Sequence, residues 1–367
     1  MVWNNPPQST NKPTKGDIPM SKETDLVLNR DQVIGYTDPI YGRGNAWHDN
    51  PTLRETLGLE NNHYPHAIPV DDVLRRLFFW NAIEAGSAIK FPNGDGTSRY
   101  IDDPTRKSIV RSDDPSVVFS VFKAGYQVHQ YEEWLLKNVA NIIDDSDLAI
   151  GTAGLLRRGG KAYVTIELPE TVKTPSGFNI RPHLLACTSH DGTLSTTYQL
   201  VSTIVVCDNT LAGALGENTP THKVRHSKHS IDKIQSVRDA LTLVHEYTDE
   251  LTIELERLSL QVVTDNQFKL IVDRLVPPSI EVGVRPQVQA RINNKQELVN
   301  HIYKNDPRVS PWTGTALGVL QAWNTYNHWF AGTDTNRAER NKLNGVLGKT
   351  QDSDRQVLDA IKQVVFV

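Results

Sequence analysis

The 367-residue chain is predicted to be α+β: an antiparallel, hairpin-rich sheet with packed helices, followed by a helical C-terminal portion. Three observations predict it. Short β-branched runs flank tight-turn sequences through the middle of the chain. Apolar residues recur at helical spacing on either side of them, and after Ser230 the helical period takes over. The expected organisation is a disordered leader over 1–24, a sheet domain over 25–230 and a helical portion over 231–367.

Met1 to Ser21 is rich in Asn, Pro, Thr and Lys and lacks the apolar stretch of a signal peptide, which is the basis for reading a leader. Tyr41 to His48 form a glycine-punctuated loop carrying Trp47. Val70, Val73, Leu74, Leu77 and Phe78 make one apolar stripe, so a helix is expected from Val70 to Ala85 with Gly86 ending it. Ser108–Arg111 and Val117–Val121 flank Ser112-Asp113-Asp114-Pro115 as a first hairpin, followed by a helix over Tyr131–Ile143. Ala149–Leu156 and Ala162–Leu168 form a second hairpin around Arg157-Arg158-Gly159-Gly160-Lys161. Leu184–Ser189 and Ser195–Leu200 form a third around His190-Asp191-Gly192, where Asp-Gly is a strong turn signal. The run Ser202–Val206 reads as a central strand.

In the C-terminal portion Ile231, Ile234, Val237, Leu241 and Val244 keep a helical period that Leu251, Leu255 and Leu258 continue. Thr264-Asp265-Asn266-Gln267 has the form of a capping box, starting a helix that stops before Pro277-Pro278. Further helices are expected at Lys295–Lys304, at Pro311–Phe330 with Ser310 as cap, and near the C-terminus.

A formal net charge of −4 argues against a uniformly basic nucleic-acid coat, though charge can be segregated on the surface. Residues 151–229 hold eight Lys/Arg against five Asp/Glu, plus five histidines, so the second and third hairpins define a basic side. Cys187 and Cys207 make neither a disulfide framework nor a zinc pattern and read as buried thiols. No stretch approaches the ~20 apolar residues of a membrane span.

Gly154 to Ala162 imitates a phosphate loop but has a surplus glycine before Lys161, and Ala162 replaces the magnesium-binding hydroxyl; it reads as a hairpin tip. On that tip Arg157, Arg158 and Lys161 can approach a sugar–phosphate backbone, the alternative being a solvated turn. The densest basic cluster is Thr221 to His229, where Lys223, Arg225, His226 and Lys228 are candidates for phosphate contact; a plain basic edge and a metal site are the alternatives. Ser189-His190-Asp191 holds hydrolytic residue types, but neighbours in a tight turn cannot form a relay, which leaves His190 a candidate phosphate contact. Trp47, Tyr126, Tyr163 and Tyr198 are aromatics for base stacking or for core packing.

Several segments carry a resemblance. Val110–Asp113 through Tyr126–Gln130, Thr188–Gly192, Val205–Leu211, Val224–Ser227, Gly314–Ala316 and Asn324–His328 resemble, in order, motifs of the phage/plasmid-like protein family, the domain of unknown function 932 type. The likeness runs over roughly residues 40–345, with Asp208 where the family often has Gln or Asn and Ser227 in place of Thr. It implies a protein of a mobile genetic element acting in the cytoplasm of a bacterial host cell, and transfers no chemistry. The expected function is single-stranded nucleic-acid binding, as in a strand-annealing protein of phage or plasmid recombination, by a homo-oligomer without cofactor, metal or catalytic residues. The alternative is an anti-restriction or other host-takeover protein acting through contact with a host or phage protein. An enzyme using His190 and a virion component are further readings.

Overall fold

The computed structural model describes residues 33–37, 58, 60–137, 149–167, 172–174, 179–204, 209–212, 221–224, 249–278, 286–332, 340–341, 343–345, 347 and 349–365. Twelve strands are seen among them: β1 Val33–Tyr36, β2 His63–Tyr64, β3 Ala82–Pro92, β4 Ser98–Arg111, β5 Val118–Lys123, β6 Ala149–Leu156, β7 Lys161–Glu167, β8 Val172–Lys173, β9 Asn179–Ser189, β10 Thr196–Ile204, β11 Asn209–Ala212 and β12 Thr221–Val224. The helices are α1 Val70–Arg76, α2 over 249–260, α3 Asp265–Leu275, α4 Pro286–Asn305, α5 Ala316–Thr325 and α6 Lys349–Val365. Two π-helical turns, Glu132–Lys137 and Tyr326–Phe330, complete the set with the 3₁₀ turn Ser310–Trp312.

The larger sheet runs β11-β10-β9-β7-β6-β1-β2, with β12 beside β10 and β8 beside β9. Every pair in it is antiparallel except β1 with β2. Its central strands bury both faces: of Ala149–Leu156 and Lys161–Glu167 all but Ala149, Thr152 and Thr165 are buried. One face, with Leu155, Val164, Ile166 and Leu184, joins a core that extends through Leu135 to Leu255, Ile271, Ile302, Leu320 and Ile361. The other covers Val33, Leu156, Tyr163, Leu185 and Cys187. Sheet and C-terminal helices therefore share one apolar interior, and α5 and α6 lie against β11.

The expected α+β class, the second and third hairpins and the helical C-terminal portion are all present. The Val70–Ala85 helix is not. It ends at Arg76, and Ala82–Pro92 forms β3, paired along its length with β4 and through it with β5 in a separate three-stranded sheet. The Ala and Glu content at the start of that segment suits a helix, but the cross-strand ladder outweighs propensity. Gly86, expected as a helix stop, instead adjoins the bulge between Gly86 and Ala88. The predicted Pro311–Phe330 helix is split. The Trp312 carbonyl accepts from the Thr315 amide (3.1 Å) and Thr315 Oγ1 (2.7 Å), Gly314 turns the chain at φ 85°, and Thr315 caps α5. The run Ser202–Val206 is the end of β10 as far as Ile204; Val205 and Val206 lie outside the described residues, as do 1–32, the Tyr41–His48 loop and 231–248.

The capping box forms as read. Gln267 N donates to Thr264 Oγ1 at 3.3 Å, and Thr264 N donates to Gln267 Oε1 at 3.0 Å. Thr264→Ala removes one arm of it, and the expected loss in urea unfolding is about 1 kcal/mol. An unchanged midpoint would show that the cap does not hold α3.

Candidate nucleic-acid interface

The β6–β7 hairpin closes at Leu156 and Lys161, leaving Arg157 to Gly160 as its tip. Arg157 and Arg158 have left-handed backbone, φ 57° and 58°, and Gly159 follows at φ 86°. Left-handed geometry costs a residue with a Cβ about 1 kcal/mol or more, so Asn or Gly would be the cheaper choices at both positions. The surroundings hold this conformation by engaging every carbonyl of the tip. Arg157 O accepts from Gly160 N (3.0 Å), and Arg158 O accepts from Arg111 Nη1 (3.1 Å). Gly159 O accepts from the Tyr131 hydroxyl (2.8 Å), and Gly160 O accepts from His190 N (2.9 Å).

Arg111, at the end of β4, is 1% exposed. Its guanidinium lies 4.2 Å from the centre of the Trp80 ring, and its Nε donates to Asp113 Oδ1 at 2.7 Å. A buried guanidinium needs this kind of pairing to offset its desolvation. Gly159 packs directly on the cluster: a Cβ there would come within 2.7 Å of Trp80 Cζ2 and 3.0 Å of Arg111 Nη1. The His190 ring stacks on Tyr131 (3.9 Å between centroids, 19°) and meets Trp80 edge-on at 5.8 Å. Burial, followed by the negative charge of Asp191, pushes the Tyr131 hydroxyl well above its ordinary range. It acts as a neutral hydrogen-bond donor to Gly159 O.

A second fastening joins this tip to the β9–β10 turn. Lys161 Nζ forms an ion pair with Asp191 Oδ2, and Asp191 Oδ1 accepts from Thr193 N (3.0 Å) and Thr193 Oγ1 (2.5 Å). Burial alone would raise the Asp191 carboxyl, but the hydrogen bonds from Lys161 and Thr193 outweigh it and hold the group below the usual carboxylate range. Gly192, at φ 73°, packs against Phe122, so the Asp-Gly signal marks a real turn.

The structure thus brings Arg157, Arg158, Lys161 and His190 together, with unequal access. Arg157 and Arg158 are exposed, whereas Lys161 and His190 are buried, the first ion-paired and the second stacked. The two buried groups shape the tip from beneath and do not face solvent. Lys223 lies on β12 across from Thr197 of β10, at the same end of the sheet as both turns. Three strand spacings separate β12 from β7, roughly 14 Å. Arg225, His226 and Lys228 lie outside the described residues, as does Trp47. Tyr163 and Tyr198 are core residues, and Tyr126 stacks on Phe122 at 3.8 Å. Sequence reasoning missed Arg111, Trp80 and Tyr131 as the support of the tip. It also missed Trp329 and Phe330, exposed on the second π-helical turn beside Arg308. Their sequence signal was the adjacent pair of aromatics at the end of an otherwise buried helix.

Residues 118–346 match the model of a family described as a domain of unknown function, DUF932. The chain belongs to the DUF932 family. No curated protein and no solved structure matches it. The DUF932 match begins at β5, later than the resemblance from about residue 40, and ends where that resemblance does. It contains both tips, Lys161, His190 and Asp191; Trp80, Arg111 and the β3–β4 hairpin precede it. Among the described residues no group of three or more His, Cys, Asp and Glu side chains could hold a metal ion, and no helix is long and apolar enough to cross a membrane.

Asp191 gives this DUF932 chain a specific acid response. Its folded-state pKa is depressed, so its stabilising contribution is complete above the unfolded-state value near 3.9 and is lost as pH falls through the folded value. Asp191→Asn should be less stable than the wild type near neutrality, with the gap closing as pH drops below about 4 in thermal unfolding. A gap that stays constant down to the acid transition would show that the Lys161 ion pair does not stabilise the fold.

Proposed function

We propose that the chain binds single-stranded nucleic acid through its sugar–phosphate backbone, in the manner of a strand-annealing protein of a phage or plasmid recombination system. The observation that carries this reading is the pair Arg157 and Arg158, both exposed and both held in left-handed backbone on a tip whose carbonyls are all engaged. Residues that keep an unfavourable backbone conformation at an exposed turn point to a use for their side chains. Two guanidinium groups presented from a rigid turn suit phosphate oxygens, and such contacts favour affinity over sequence preference. Lys223, at the same end of the sheet, extends the basic side. The family resemblance supplies the mobile-element setting, and with it the bacterial cytoplasm as the site of action. In this reading the protein works as a binding protein in several copies and without catalysis.

A second reading, an anti-restriction or host-takeover protein acting by protein contact, is favoured by the exposed apolar residues Ile89, Phe91, Tyr100 and Ile101 on the β3–β4 hairpin. The two readings part in one titration. Fluorescence anisotropy of a labelled single strand across a salt series should show salt-sensitive binding by the wild type. Replacing Arg157 and Arg158 together by Ala should weaken it and reduce the slope of log K against log salt by about 1.4, since each phosphate contact on a single strand contributes about 0.7. Absence of wild-type binding at low salt would sink the nucleic-acid reading, and an unchanged slope in the variant would remove the tip as its site.

A further inference from the structure

β3 is an edge strand: among the described residues only β4 pairs with it, in the order β3-β4-β5. Its first residue is closed off, because Ala82 N donates to Gln130 Oε1 (3.1 Å) and Ala82 O accepts from Gln130 Nε2 (2.8 Å). Those groups point away from β4, and the two-residue period of a strand puts the N–H and C=O of Glu84 and Gly86 on the same outer edge. Natural edge strands are normally short, charged or covered. β3 is eleven residues long and carries just two charges, Glu84 and Lys90.

Alternation sorts the strand into two faces. Ile83, Ala85, Ser87, Ile89 and Phe91 share one, and Ser87 Oγ reaching Ser108 Oγ at 3.1 Å, across from Ala85, places it there. Ile101, opposite Ile89, extends the same face. Ile83, Ile89, Phe91 and Ile101 are 42%, 50%, 39% and 44% exposed, an apolar strip on a hairpin that little else covers. Glu84 and Lys90 lie on the opposite face, each three residues from Ser87, and Glu84 already accepts from Lys107 Nζ of β4 at 2.5 Å, so a second lysine would share its carboxylate.

That symmetry identifies the occupant. We propose that a second copy of this chain pairs with β3, antiparallel about a two-fold axis at Ser87, joining two three-stranded sheets into one of six strands. In that register each Glu84 faces the other copy's Lys90, Ile83 faces Phe91, Ala85 faces Ile89, and Gly86 faces Ala88. Pro92, which has no N–H to give, falls opposite Ala82, whose edge groups Gln130 already occupies. Moving the register by one pair in either direction sets Glu84 against Ala88 or Pro92 and loses both charge pairs. The interface is isologous, as two-fold pairing requires, and it brings the two apolar strips edge to edge on one face of the joined sheet. It lies N-terminal to the DUF932 match and is independent of nucleic-acid binding.

Analytical ultracentrifugation of the full chain without nucleic acid tests this. The wild type should sediment as a dimer. Glu84→Lys and Lys90→Glu should each dissociate about tenfold more readily, because each places like charges opposite one another twice per dimer. Mixing the two variants should restore the dimer, since a chain bearing Glu84→Lys then meets one bearing Lys90→Glu with both pairs of opposite sign. Recovery on mixing also shows that both variants are folded. A wild type that stays monomeric overturns the proposal, as does self-association that either variant leaves unchanged or that mixing fails to restore.

Discussion

One buried cation organises the end of the large sheet. The Arg111 guanidinium is removed from water, stacked on Trp80 and neutralised by Asp113, and its Nη1 donates to a backbone carbonyl of the β6–β7 tip. Burial of this kind is tolerated only where geometry satisfies the charge, and satisfying it fixes what surrounds it. Trp80 and Arg111 press against Gly159 closely enough to exclude a side chain at 159. Tyr131 and His190 fill the space beside Trp80 and hold the next two carbonyls. The result is a turn whose shape is dictated from below, with Arg157 and Arg158 as its outward-facing side chains.

The Lys161–Asp191 ion pair extends the same logic sideways. It joins the turn between β6 and β7 to the turn between β9 and β10, two strand pairs that the ladder of β7 with β9 already places side by side. The first π-helical turn adds a further tie, where the Tyr198 hydroxyl donates to Trp134 O at 2.6 Å and the His129 ring stacks on Trp134 at 3.7 Å. Local order at the basic end of the sheet therefore comes from polar groups buried among aromatics.

How much of this could be read from the chain follows from how local each signal is. Asp191-Gly192, the glycines after Arg158 and the Thr264–Gln267 box are turn and cap chemistry contained in four or five residues, and each sits where it was expected. Arg111 carries no such local signal, because the carbonyl it holds lies 47 residues away. Lys161 and His190 looked available to a ligand for the same reason: the lysine's carboxylate is 30 residues distant, and the histidine's stacking partner Tyr131 comes from another element. The first residues of β3 read as the end of a helix because they follow the apolar stripe Val70–Phe78 and precede Gly86, while the ladder that makes them a strand is supplied by β4. Whether a polar residue serves a ligand or the core depends on contacts that a single sequence does not display.

Presentation of Arg157 and Arg158 depends on the stiffness of the β6–β7 tip. Native-state hydrogen exchange at the Gly160 and His190 amides measures it without any ligand, since one closes the turn onto Arg157 O and the other fastens it to Gly160 O. Protection approaching that of the β7 and β9 amides is the predicted result. Exchange at the rate of an open loop would mean that the arginines are carried on a mobile turn, and would contradict the claim that the buried cluster presents them.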